Sequence, residues 1–245
     1  MKRMLAFSSR NVKEMLRDPL TVAFGIGFPV AVLLLLTAIQ SNVPVDLFNL
    51  EKLTPGIAVF GLSFVSLFSA TLISKDRSTS FLMRLFASPL SSVDFILGYT
   101  LPMLPIAIAQ SVVCFGVAMI LGLTPTLNII KVLIVLLPAD ILFIAIGLLV
   151  GSIFNDKQVG GLCGALLTNL TAWLSGTWFD LELVGGAFKT ASYALPFARA
   201  VDASRLALSG GQGVFTHLVW VIGYAAVVMV LAVLAFRKKM NGENR

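Results

Sequence analysis

Six stretches of this 245-residue chain run almost without charge: 20–40, 54–74, 95–122, 129–153, 159–178 and 216–236. A helix needs about 20 apolar residues to cross the hydrocarbon core of a bilayer, and each stretch has that length. The pattern predicts an all-α polytopic membrane protein with six transmembrane helices. Pro102 and Pro105 fall inside the third stretch and predict a bend there. No repeat, low-complexity tract or water-soluble domain separates the stretches, so residues 1–245 read as one membrane domain.

Three segments between or before these stretches have patterns of their own. Residues 1–18 lack the apolar core of a cleavable signal. On a helix, Met4, Leu5, Val12, Met15 and Leu16 gather on one side, with Arg3, Arg10, Lys13, Glu14 and Arg17 mostly on the other. That is the pattern of a helix lying in the membrane interface, or of an ordinary solvated one. Residues 75–94 should be a polar loop, yet Phe81, Leu82, Leu85 and Phe86 form an apolar stripe at helical spacing. Such a stripe either lies on the bilayer or docks a partner. The segment 179–215 is too long for a turn and too apolar for a disordered loop. Within it Arg199, Asp202 and Arg205 recur every third residue, one polar stripe on an apolar helix that follows Pro196. This segment is expected to dip into the outer leaflet and return.

Composition and charge turn this pattern into a topology. The chain is 58% hydrophobic and 12% charged, against about 25% charged for soluble domains. Of its 18 Lys and Arg, thirteen fall on one side of the six spans and five on the other. Cationic residues stay in the cytoplasm, so both termini are expected there, in the plasma (inner) membrane. The net charge of +6 is thereby used up as a topology signal, and no basic surface remains for nucleic acid.

Few residues offer chemistry. Leu208–Gln212 spells LSGGQ, the signature loop of ABC ATPases. It falls on the outer side, and the chain has no GxxxxGK[ST] phosphate loop, so the reading is a turn of small residues into the sixth span. Cys114 and Cys163 lie in apolar runs and form no CxxC pair, which reads as two core thiols. His217, the one histidine, has no metal-ligating neighbours in sequence; with Trp220 and Tyr224 it reads as an interfacial anchor. The sequon Asn169-Leu-Thr171 lies inside a span and is discarded. Asp140 is the one acid deep in a span. It either serves the helix beside Pro138, as a cap or in neutral form, or acts as an ion or proton handle. Gly147-x-x-x-Gly151 and Gly160-x-x-x-Gly164 offer close helix approach.

Four pieces resemble the type-2 ABC export permeases, the membrane subunits of drug, polysaccharide and bacteriocin-type exporters. These are LRDPLTVAFGIGFP (16–29), KDRSTSFLMRLFASPLSSVDFILGYTLP (75–102), LSGTWFDLELVGG (174–186) and YALPFARAVDASR (193–205). With six spans, the resemblance covers nearly the whole chain. Where the family usually has an acid and a glycine after the loop arginine, this chain has Ser78, Thr79 and Ser80. The resemblance implies a permease with no ATPase of its own, paired with a second copy or a relative. Two separate ATPase subunits would carry ATP and magnesium. Asp76, Arg77, Phe81, Leu82, Arg84, Leu85 and Pro89 match the family's ATPase-coupling loop. Pro196, Arg199, Asp202 and Arg205 match its outer segment. Two other classes stay open: a secondary carrier with Asp140 as its handle, and a non-transporting anchor or immunity protein.

Overall fold

The computed structural model describes residues 2–19, 23–44, 48–78 and 91–243. Among them all regular structure is helical, with no strand. Five helical stretches are long and apolar enough to cross a membrane: Ala23–Gln40, Leu50–Ser78, Ser92–Ile120, Asn128–Ile153 and Val214–Lys238. The elements are α1 (Lys2–Leu16), α2 (Phe28–Gln40), α3 (Leu50–Ser78), α4 (Ser92–Ile120), α5 (Asn128–Ile153), α6 (Asp156–Val159), α7 (Thr168–Leu174), α8 (Leu181–Val184), α9 (Gly186–Ala194), α10 (Pro196–Ser209) and α11 (Val214–Glu243).

Two runs are π-helical, Ala23–Gly27 before α2 and Gly160–Leu167 between α6 and α7. Both contain glycines. The fifth apolar stretch is therefore helical from Asp156 to Leu174, but divided into α, π and α parts. Apolarity does not encode that division.

The core is built around α3. Its residues Leu53–Ser63 are all buried, and so are Val65, Ser66, Ser69 and Ala70. The buried hydroxyls of Ser63 and Ser69 donate back to carbonyls of their own helix, at 2.7 and 2.8 Å, so polar side chains fit without exposing the backbone. Helix α5 lies along α3 at backbone distance. A Cβ at Gly147 would collide with the carbonyl of Ser66, and one at Gly151 with the carbonyl of Ala70 and the side chain of Ile73. Only glycine permits this approach. The second glycine pair behaves differently: Gly160 has open space around it, and Gly164 meets Leu67 at an ordinary 3.4 Å. Helix α11 packs along α5, and α10 packs against α5, α3 and α11. Away from this core, α2 and α11 expose large apolar side chains, Leu34, Leu35 and Ile39 on the first and Val227, Val230 and Leu234 on the second. So much apolar surface demands lipid or protein around it.

Helix α1 departs from the two-sided expectation. Phe7, Ser8, Asn11 and Met15 are buried and form the face that packs on α4. Leu5 and Val12 point away, exposed, on a second apolar face. Helix α3 continues through Lys75–Ser78, and α4 begins at Ser92, so both ends of the expected 75–94 loop are helical. The LSGGQ letters also find a local role. Ser209 ends α10, and Gly210 caps it in the left-handed conformation at φ +73°.

The glycine contact predicts a contrast. Gly147→Val overpacks the α3–α5 crossing and lowers stability by about 1–3 kcal/mol. Gly160→Ala changes it by less than about 0.5 kcal/mol. Thermal or denaturant unfolding of the purified protein in detergent reads both, and equal effects at the two sites would contradict this packing.

Candidate functional site

The last turn of α3 gathers a cluster of polar contacts. Asp76 and Arg77 are neighbours on a helix, so their side chains diverge by about 100° and reach different elements. Asp76, 3% exposed, faces α1 and α4. Arg10 Nη1 donates to its Oδ2 at 2.7 Å and Nη2 to its Oδ1 at 2.9 Å, a bidentate pair. Tyr99 on α4 donates its hydroxyl to Oδ2 at 2.8 Å. Among the described residues the buried carboxylate thus has a counter-charge in Arg10 and a further donor in Tyr99, which is what a charge away from water needs. Burial alone would lower the pKa of Arg10, but the hydrogen bond and charge of Asp76, helped by Glu14 at 2.6 Å, hold it above its ordinary value.

Apolar and amide contacts fix the same junction. The Phe7 ring sits edge-on to Phe95 and Tyr99, with centroids 5.6 and 4.9 Å away. It fills the space a side chain at Gly98 would need, since a Cβ there would lie 2.5 Å from it. Asn11 Nδ2 donates to the Gly98 carbonyl at 3.1 Å. On the other side of α3, Arg77 Nη1 donates to the carbonyls of Gly151 and Phe154 at 2.7 and 3.2 Å. A cation there satisfies the open carbonyl end of α5. Ser74 Oγ donates to Asp156 Oδ1 at 3.2 Å, which ties in α6. Four elements thus converge on residues 74–77. At the start of the next helix, Ser91 and Asp94 close a capping box that opens α4. Of the coupling-loop residues, Asp76 and Arg77 stand in this cluster, whereas Phe81, Leu82, Arg84, Leu85 and Pro89 lie outside the described residues. The sequence did not single out Arg10 or Tyr99; a cation on a polar helix face and a tyrosine in an apolar run carry no sign of their partner.

At the opposite end of α3 a second polar set surrounds α10. Pro196 opens that helix at its first position. Arg199 lies against the Tyr193 ring at 5.1 Å and the Trp220 ring at 5.4 Å. Trp220 stacks on Tyr224, whose hydroxyl donates to the Ala194 carbonyl at 2.7 Å. Arg205 donates Nε to the Lys52 carbonyl and Nη2 to the Gly176 carbonyl, both at 2.9 Å. Burial lowers the pKa of Arg205, and the charge of Asp202 opposes this. Tyr193 is pushed up to about 12, first by burial and then by its hydrogen bond to Asp202. The stripe Arg199, Asp202, Arg205 therefore bolts α10 to α9, α11 and the first turn of α3. Between α10, the first turn of α3 and the start of α5 lies a cavity of about 840 Å³, bordered by Glu51, Asn128, Thr177, Asp180, Asp202 and Arg205.

Asp140 belongs to neither set. It is 1% exposed in α5, and among the described residues its Oδ1 has no hydrogen-bond partner. Cys114 and Cys163 are buried and free, near Gln110 and Ser66. Among the described residues no group of His, Cys, Asp and Glu could hold a metal.

Against known families, residues 3–208 match the model of the membrane domain described as ABC-2 type transporter. No curated protein matches the chain.

The ion cluster predicts a graded response. Arg10→Ala removes the bidentate counter-charge of Asp76 and costs on the order of 1–3 kcal/mol, below a fully buried pair because Arg10 is partly exposed. Tyr99→Phe costs about 1 kcal/mol. Unfolding in detergent gives the ranking, and protease access to α1 should rise in Arg10→Ala first. Unchanged protection of α1 would show that the pair does not hold it.

Proposed function

The chain belongs to the ABC-2 type transporter family, and from that premise we propose that it is the permease subunit of an ATP-driven exporter. As a membrane component of an ABC transporter it is a multi-pass membrane protein. In the proposed arrangement six spans place both termini in the cytoplasm, and residues 179–215 form a re-entrant segment on the outer face. A second copy or a relative completes the path. Two ATPase subunits dock beneath and hydrolyse ATP with magnesium, and this chain has no catalytic residues.

The observation that carries the reading is the convergence of α1, α4, α5 and α6 on residues 74–77. Phe81, Leu82, Arg84, Leu85 and Pro89 follow it directly and are proposed as the docking surface. A push on that surface reaches α3, which also accepts Arg205 at its far end through the Lys52 carbonyl. Inner docking and the outer Pro196, Arg199, Asp202 and Arg205 segment are then two ends of one helix. A second reading, ion-coupled transport through Asp140, draws on the burial of that carboxyl without a partner for Oδ1.

Two experiments decide between these readings. Burying one Phe or Leu is worth roughly 1.5–3 kcal/mol. Phe81→Asp with Leu85→Asp is expected to weaken ATPase binding about a hundred- to several-thousand-fold, read as pull-down from detergent. The spans should still insert, as protease mapping checks. Wild-type retention of the ATPase would sink the coupling assignment. Asp140→Asn keeps the side-chain shape and is expected to keep most ATP-driven transport. Loss of transport with intact assembly would instead favour the carrier reading.

A further inference from the structure

The packing around α5 shows what surrounds the buried carboxyl of Asp140. On that helix Asp140 stands about two turns before Gly147 and about three before Gly151, so the three share one face. The face rests on α3: a Cβ at Gly147 would meet Ser66 and one at Gly151 would meet Ala70, so the two helices run parallel. Asp140 is thereby placed beside the buried Val59–Ser63 turn of α3. Thr171 of α7 reaches the same turn from another side. The chain before and after it is held on α3, by Cys163 Sγ at 4.0 Å from Ser66 Oγ and by Thr177, whose hydroxyl donates to the Gly56 carbonyl at 3.2 Å. Thr171 is fully buried, and among the described residues its hydroxyl, like Asp140 Oδ1, has no hydrogen-bond partner. The start of α10 completes the junction. The Phe197 ring lies 5.5 Å from that of Phe143, less than a turn along α5 from Asp140, while Arg205 reaches the Lys52 carbonyl. Helix α10 therefore runs antiparallel to α3, with its N-terminus at the depth of Asp140, and it packs on α3, α5 and α7. The first N–H groups of a helix have no acceptor within it, and no side chain caps this one.

We propose that one buried water molecule sits at this junction and caps α10. It accepts from a first-turn N–H of α10 and from the Thr171 hydroxyl, and it donates to Asp140 Oδ1. Three polar partners are what a buried water ordinarily has. Charge selects this occupant. The positive end of α10 disfavours a cation and the Asp140 carboxyl disfavours an anion, whereas water both donates and accepts. Asp140 and Thr171 are then positioning residues that seat the inner end of α10. The inference does not rest on ATP-driven export, and it makes Asp140 a cap instead of the ion handle of the second reading.

Hydrogen exchange of the full chain in detergent, read by mass spectrometry on a peptide spanning 193–203, tests the proposal. Asp140→Leu and Thr171→Val are each expected to speed exchange in the first turn of α10 about tenfold, equivalent to about 1.4 kcal/mol. The two together should be no faster than either alone, since each removes the same water. Asp140→Asn and Thr171→Ser keep a hydrogen-bonding group and should keep the protection. Ser111→Ala, which deletes another buried hydroxyl without a partner among the described residues, on α4, should leave α10 unchanged. Should Asp140→Leu not assemble, the isosteric Thr171→Val carries the test alone. Unchanged exchange in Thr171→Val, additive effects in the pair, loss of protection in Asp140→Asn, or protection that requires sodium would each overturn the proposal.

Discussion

The approach of α5 to α3 at Gly147 and Gly151 sets the rest of the architecture. Between apolar helices in lipid there is no hydrophobic gain from association, because the tails are as apolar as the side chains. Contact then depends on how closely two backbones can lie. The missing side chains at these two glycines let α5 rest on the carbonyls of Ser66 and Ala70. Once α5 is placed, its flanks locate α11 and α10, and its carbonyl end comes within reach of Arg77. The polar clusters at either end of α3 are downstream of that geometry.

The two clusters use different chemistry. Near Asp76 the contact is a charge pair whose carboxylate is buried, supported by Tyr99 and the Phe7 ring packing. Around α10 the cations rest on aromatic faces and backbone carbonyls instead. A bidentate ion pair is geometrically strict, while a guanidinium over a ring tolerates sliding. Helix α1 is thereby held in one pose, and α10 has softer bearings. Asp140 sits between these regimes, joined to neither.

The long helices were legible because apolar length is a property of a segment alone. The split of the fifth stretch at Gly160–Leu167 was not, since π turns have no periodic signature in residue type. Asp76 and Arg77 could be marked in advance, but Arg10, Tyr99 and the carbonyls of Gly151 and Phe154 could not. Their roles exist only once four elements meet. The same limit explains α1. Sequence periodicity separates apolar from charged positions, yet cannot tell that Phe7 and Met15 meet protein while Leu5 and Val12 do not. Of the two glycine pairs, one mediates close packing and the other has room to spare, a distinction that again comes from the neighbours.

The length of α3 has a chemical consequence. Its 29 residues extend about 43 Å at 1.5 Å per residue, against a hydrocarbon core of about 30 Å. More than two turns therefore project into the headgroup layers or beyond. The glycine crossing at Ser66–Ala70 lies toward the middle of the helix, while the Arg205 contact with the Lys52 carbonyl and the ion pair at Asp76 lie at its extremities. One rod thus answers to two solvents: ionic strength acts on its tips, bilayer thickness on its waist.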